Sequence, residues 1–455
     1  MDSPRAQMEL LADAGRLLLE NGESTGAIHC ALERTARTLT NEPCDVAVAY
    51  RRVAVSLAGN SPIFMPVRNL RFHTAVLARV HSILQRVRCG ELEPVAAQAQ
   101  LRSAETEALQ HARLPAVLLL AIAAAALARL LGADTGAVLV AGAATALGLV
   151  VRQELGRRHF NSLMLPLAAA FVGAVVGGIA IRFQWTQSPG LALIVPALML
   201  VPGPHLINGL LDLIDNYLPM SIARLGLATA ILLASALGVL LGIELTIPEP
   251  LAAGQSGPAN VLNVLSDMIL AGIVTCGFAT YYNTPWAQVG MAVLGGMAGH
   301  GLRFIALQAG WTVEAATLVG GLAVGLVSAS IARSNRTPVA VIAFAGAVTM
   351  MPGLQIYRAL SGALQMARLK GTTDLPTVAG ALGDASQAFL AVAALALGLI
   401  AGSKVFQAIA GEREAATASA AGSHSGEAPD TEGGQHCLPA GLATFPADSA
   451  ENDNG

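Results

Sequence analysis

Charge is what this sequence has least of. Only 13% of its 455 residues are charged against 54% hydrophobic, and mean hydropathy is +0.58. A chain so poor in ionic groups cannot cover an ordinary soluble surface; the composition indicates a polytopic membrane protein. Net charge is −3 with dispersed basic residues, so no basic face points to nucleic acid. Paired cysteine motifs are missing too. Cys30, Cys44, Cys89, Cys276 and Cys437 are scattered without CxxC spacing, which reads as free thiols rather than a zinc site or disulfide framework. No phosphate loop, nucleophile elbow or HExxH occurs. The expectation is therefore no enzyme, no cofactor and no metal, with an ion gradient driving any pumping. The opening residues hold no basic stretch followed by an apolar run, so the N-terminus is expected in the cytosol.

Present instead are ten apolar segments, at about 114–131, 135–151, 163–181, 189–201, 221–243, 263–281, 285–301, 312–332, 338–350 and 379–402. Before them, residues 1–112 carry 12 Arg and 12 Asp or Glu up to residue 110. Leu10, Leu11, Ala14, Leu17 and Leu18 recur at helical spacing. Val46, Val48 and Tyr50 alternate, as do Val53, Val55 and Leu57, which predicts two strands meeting at Arg51-Arg52. Helical patterns return at about 70–89 and 94–112. Residues 1–112 thus read as a small α+β cytosolic domain. Residues 411–455 lack periodicity and are expected to be disordered.

Two segments, 189–201 and 338–350, are too short to span a bilayer, which takes roughly 20 residues. Each ends at a Pro-Gly pair, Pro202-Gly203 and Pro352-Gly353. Such a break frees backbone polar groups at membrane depth, where lipid cannot satisfy them; it persists where it lines a cavity or is buried in protein. Paired breaks in corresponding halves point to a transporter site. The correspondence extends further. Ile181-Arg182, Pro189 and Pro202-Gly203 match Ile331-Ala332-Arg333, Pro338 and Pro352-Gly353, and LGVLLG at 237–242 matches LGLIAG at 397–402. Ten segments then divide into two five-helix repeats, 113–243 and 263–405. Five being odd, the second must be inverted. Loop charge modestly favours an inside N-terminus: Arg113, Arg152, Arg157, Arg158, Arg224, Arg333, Arg336, Lys404 and Arg413 flank the inner side, against Arg129, Arg182, Arg303, Arg358, Arg368 and Lys370 on the outer. The connection 244–262 carries Glu244 and Glu249 without Lys or Arg, as suits an external loop.

Three stretches carry a family resemblance: VPGPHLINGLLDLIDNYLPMSIARL at 201–225, SIARSNRTPVAVIAFAGAVTMMPGLQIYRAL at 330–360 and, more weakly, ENGESTGAIHCALERTARTL at 20–39. The chain resembles the threonine/serine exporter family, whose members join a cytosolic N-terminal part to a ten-helix membrane part. The resemblance implies a multi-pass protein of the bacterial inner membrane that exports small amino acids. Drive by the proton motive force is expected. Its partners would be a small solute, protons and the bilayer, with homo-oligomerisation open. Split relatives are linked to dicarboxylate export, so export of a succinate-like solute is the alternative, and a sensor or scaffold without flux is the third reading. Asp215-Asn216 and Tyr217-Leu218-Pro219 depart from a stretch usually rich in Gly and Ser.

Candidate site residues follow. The half-helix after each break begins with orphan amides and a positive dipole end, so Pro202, Gly203, Pro352 and Gly353 could place a substrate carboxylate. Asn208, Asp212 and Asp215 lie at i, i+4 and i+7 on one helix face. An acid there could neutralise an ammonium or carry a coupling proton, or could simply be solvated at the inner interface. The family pattern favours Asp212. Tyr357 and Arg358 could bind a carboxylate, or Arg358 could snorkel to the interface. Asp267 and Asp384 are further proton-carrier candidates, or face external water. Glu314 suits a helix start, and Arg333 an inner anchor. His205 and His300 stand alone, and adjacent His29 and Cys30 do not share a face. Arg51-Arg52 either meet anionic lipid or form a solvated turn.

Overall fold

The computed structural model describes residues 4–57, 60–247, 263–335, 337–368 and 375–425. The N-terminal part comprises α1 (Pro4–Glu20), α2 (Thr25–Thr40), β1 (Cys44–Ala49), β2 (Arg52–Leu57), β3 (Ile63–Pro66), α3 (Thr74–Arg88) and α4 (Pro94–Glu107). Its three strands form one antiparallel sheet in the order β1-β2-β3. Leu10, Leu11, Leu17 and Leu18 of α1 are fully buried against the sheet and α3, as the helical spacing predicts. The hairpin turns at Tyr50-Arg51, one residue earlier than expected, since Ala49 pairs with Arg52. β3 escaped the sequence reading: four residues ending in proline give too short an alternation to register.

The membrane part begins with α5 (Arg113–Leu130), α6 (Thr135–Arg157) and α7 (Met164–Arg182). A bent pair follows, α8 (Pro189–Leu198) and α9 (Gly203–Ile214), then α10 (Leu218–Thr246). The same order recurs as α11 (Val264–Tyr281), α12 (Trp286–Gln308), α13 (Val313–Asn335), the bent pair α14 (Val339–Val348) and α15 (Gly353–Arg368), and α16 (Leu375–Ser425). Among the described residues, eight helices are long and apolar enough to cross a membrane, and up to ten spans result if each bent pair counts as one. The pairs bend by 62° and 59°, at Pro202-Gly203 and Pro352-Gly353.

Packing repeats with the order. α6 packs on α5, α7 and α8, and α10 on α7 and α9; α12 packs on α11, α13 and α14, and α16 on α13 and α15. α5 packs on α11 where the two sets meet. The repeated LGVLLG and LGLIAG signatures are close-packing devices. A Cβ on Gly238 or Gly242 would run into the α7 carbonyls of Leu167 or Phe171, and one on Gly398 or Gly402 into the α13 carbonyls of Leu318 or Leu322. Small residues let helix backbones approach where lipid supplies no hydrophobic drive.

Two expectations need correcting. α16 runs on to Ser425, into the stretch expected to lack structure from 411. Its Ala- and Glu-rich sequence has enough intrinsic helix propensity without apolar periodicity; residues 426–455 lie outside the described residues, as do 248–262 of the central connection. Cys30, Cys44 and Cys276 are free thiols, but Cys89 is disulfide-bonded, so the expectation of five free thiols fails.

Candidate functional site

The breaks face one another. Gly203 lies against Val348 and Met351 of the second bent pair, and Gly353 against Leu198 of the first. Their backbones turn alike, Gly203 N–H donating to the Val201 carbonyl and Gly353 N–H to that of Met351, both at 2.8 Å. They differ in what they offer a solute. In the first turn of α9, Pro204 has no N–H and His205 donates to Pro202, so no free amide remains there. The orphan-amide expectation therefore suits the second break, where Leu354 and Gln355 follow Gly353.

A cavity opens on each side of the breaks. The near cavity, of about 1050 Å³, lies toward the N-terminal part and reaches Val201, Pro202, Pro204 and His205. The far cavity, of about 440 Å³, lies toward the end of α5 and the start of α11 and is lined by Gly203, Pro352, Gly353 and Gln355. Val201 and Phe278 line both and form the partition between them.

Asp267, His300 and Arg303 also line the far cavity. Asp267 and His300 are only 4% and 8% exposed, with His300 Nδ1 2.6 Å from Asp267 Oδ2. Arg303 Nε donates to Thr317 Oγ1 at 3.1 Å. Asp267 was legible in the sequence; its partners were not, because nothing in a single chain pairs residues 33 and 36 positions apart on two helices. Acid, imidazole and guanidinium together can bind an ammonium, exchange a proton and hold a carboxylate.

Asn208 and Asp212 point elsewhere, onto the loop between α1 and α2. Asn208 Nδ2 donates to the Gly22 carbonyl at 2.7 Å, and Thr25 N–H donates to Asp212 Oδ1 at 2.8 Å. Arg224 of α10 is fully buried, with Nε 3.0 Å from Asp212 Oδ2 and a guanidinium nitrogen donating to the Glu23 carbonyl at 2.5 Å. Glu23 in turn meets His81 Nε2 at 2.8 Å. Gly22 holds φ +96°, and a side chain there would strike the Phe72 ring. Phe72 packs edge-on against Tyr282 and Phe344, with centroids 4.8 and 5.0 Å away. The N-terminal part thus grips both helix sets, the second also through Thr74, which donates to the Tyr282 carbonyl at 3.0 Å.

The other candidates scatter. Tyr357 packs into a small cluster with α7, α8 and α10, Arg358 is exposed, Asp215 ends α9, and Asp384 is half-buried on α16; none of these four lines either cavity. Among the described residues no group of three His, Cys, Asp or Glu could hold a metal.

His73 caps α3 at this interface, its Nδ1 accepting the Val76 N–H. Burial, reinforced by the Arg71 guanidinium, pushes its pKa from 6.5 down to about 4. A depressed folded value means stability that is present above pH 6.5 and lost as pH falls through 4. Limited proteolysis of the 108–112 linker should accelerate over that acid window. His73→Asn, which keeps a cap without titrating, should flatten the response; an unchanged acid limb in that variant would contradict this role.

Paired broken helices between two cavities, in a bundle of apolar helices long enough to cross a membrane, fit the class of transporters. The chain belongs to the threonine/serine exporter family. The family described as "Putative threonine/serine exporter" matches residues 9–246, and "Threonine/Serine exporter, ThrE" matches 267–405. A "Threonine/serine exporter" of Corynebacterium glutamicum is 24% identical over 400 residues, covering 83% of this chain and 79% of that protein. No solved structure matches the chain.

Proposed function

We propose that the protein exports small amino acids such as threonine and serine from the cytosol across a bacterial inner membrane, driven by the proton motive force. The observation carrying this reading is the pair of facing breaks with a cavity on either side, parted by Val201 and Phe278. In this reading two inverted five-helix halves rock about the breaks and open one cavity at a time. The repeated packing supports two repeats of one design, without fixing their relative orientation. Helix direction supports their inversion: α5 starts just after His111, which bonds Asn283 and Thr284 just beyond the end of α11. The first helix of one half therefore leaves the place where the first helix of the other arrives. The N-terminal part sits in the cytosol and the near cavity opens inward.

A zwitterion suits the far cavity, its carboxylate toward Arg303 and the start of α15, its ammonium toward Asp267. Asp267–His300 is the proposed proton-carrying pair, since it lines that cavity while Asp212 is committed to Thr25 and Arg224. Gly203→Leu and Gly353→Leu would each push a side chain between the facing breaks. Both variants should insert normally, yet lose nearly all threonine efflux from loaded cells. Wild-type efflux in both would remove the breaks from the mechanism.

A further inference from the structure

The near cavity carries charge of one sign. Arg51, Arg68 and Arg71 reach it from the N-terminal part, and Arg152 from the membrane part. Among the described residues no Asp or Glu lines it. Two of the arginines are occupied: Arg71 pairs with Glu105, and Arg152 lies 5.5 Å over the Tyr281 ring. Arg51 and Arg68 have no side-chain ion pair among the described residues, and both are exposed. The floor is the first break with Phe278, Tyr281 and Tyr282, so whatever fills the basin reaches the partition between the cavities. A cleft lined by one sign of charge with low-dielectric walls focuses its field and concentrates counter-ions. Its occupant must bring negative charge.

We propose that this basin is the inner mouth of the transport path, that it admits solutes by their carboxylate, and that the N-terminal domain supplies selecting charge through Arg51 and Arg68. This rests on the exporter reading above and adds to it. The N-terminal domain becomes part of the path rather than an appendage. A zwitterion enters carboxylate first, a carboxylate-free cation is refused, and a dicarboxylate is held more strongly at the mouth than a zwitterion.

The test uses the purified full chain in neutral detergent with labelled succinate as the anion probe, alongside threonine efflux from loaded cells. Arg51→Glu combined with Arg68→Glu should weaken succinate binding about tenfold, the lower end of what charged clefts contribute. It should also raise KM for threonine efflux at unchanged maximal rate. The paired Lys replacements should restore both values. High salt should weaken wild-type binding, since exposed charges are screened. Threonine should displace succinate, and threonine methyl ester, a cation without a carboxylate, should not. Unchanged binding in a double variant that stays monodisperse and melts like wild type would overturn the proposal, and so would displacement by the ester. Succinate binding that disappears in phosphatidylglycerol vesicles but persists in phosphatidylcholine would assign the basin to lipid headgroups instead and likewise overturn it. Intact, charge-dependent binding in a protein that exports no amino acid would sink the exporter reading and leave the carboxylate-selecting basin standing.

Discussion

Replacing Asp267 with Asn is expected to abolish threonine efflux driven by an imposed pH gradient, by about 100-fold or more, the scale on which a positioned proton-transfer group acts. Exchange of internal for external threonine, which needs no net proton movement, should survive with a raised KM, because the solute's ammonium loses its counter-charge. The reason is placement. Asp267 and His300 meet at 2.6 Å, almost wholly buried, in a cavity that also holds the second break and Arg303. A buried ionisable group in a membrane is costly and is retained for function. Removing the charge leaves the solute-binding shape intact but removes the proton cycle. His300→Gln should impair coupling in the same direction, because the imidazole is the partner through which Asp267 can change protonation. Reconstitution into liposomes with a controlled pH gradient separates the two activities. Gradient-driven efflux at the wild-type rate in Asp267→Asn would place coupling elsewhere. Asp212 is then the next residue to replace.

The second large effect is on assembly. Arg224→Met leaves the Asp212 carboxylate fully buried without its cation, and breaking a buried pair from one side costs about 3–5 kcal/mol. Arg224 also donates to the Glu23 carbonyl, so the variant weakens the grip on the loop between α1 and α2. Cleavage of the 108–112 linker should speed up, and the purified protein should melt at lower temperature. Replacing both partners, Asp212→Leu with Arg224→Met, should recover much of the loss, because the uncompensated charge goes too. A single variant with wild-type melting and protease resistance would show that the pair holds nothing. The same pair distinguishes two roles for Asp212. A docking residue changes protease sensitivity when made Asn, whereas a proton carrier changes coupling and leaves docking alone.

How much of this was legible in the sequence depends on range. Helix positions and both breaks are written locally, in apolar windows and Pro-Gly pairs; most ends emerge close to the expected bounds, but α6 and α12 run on to Arg157 and Gln308, and α16 runs on to Ser425. The shared face of Asn208 and Asp212 was equally readable, since helical spacing sets it. Which wall that face meets was not: the partners Gly22 and Thr25 lie 186 and 187 residues away. Two of the stretches that carry the family resemblance, around 20–25 and 201–225, turn out to be each other's neighbours. The LGVLLG repeat could be seen as repetition, but its meaning lies in the carbonyls of α7 and α13. His300 stood alone in sequence and Arg303 read as an outer-flank cation; both gain a role only beside Asp267. Arg51 was readable as a turn residue, yet its place over a cavity follows from how the N-terminal part docks.

Docking raises a mechanical point. The N-terminal domain holds the first helix set through Asn208, Asp212 and Arg224, and the second through Tyr282 and Phe344. If the halves rock, one of these grips must give. Thr74 makes two bonds to the Tyr282 carbonyl and one to Thr284 Oγ1, and Phe72 adds two ring contacts, against three bonds that join Gly22, Glu23 and Thr25 to Asn208, Arg224 and Asp212.

The central claim is net export of a small amino acid paid for by protons. Efflux of labelled threonine, serine and succinate from loaded cells expressing the protein, with and without a protonophore, tests it most directly. The account predicts threonine and serine efflux above that of cells lacking the protein, collapsing when the protonophore is added. Efflux of succinate alone, or amino-acid efflux indifferent to the protonophore, would contradict it.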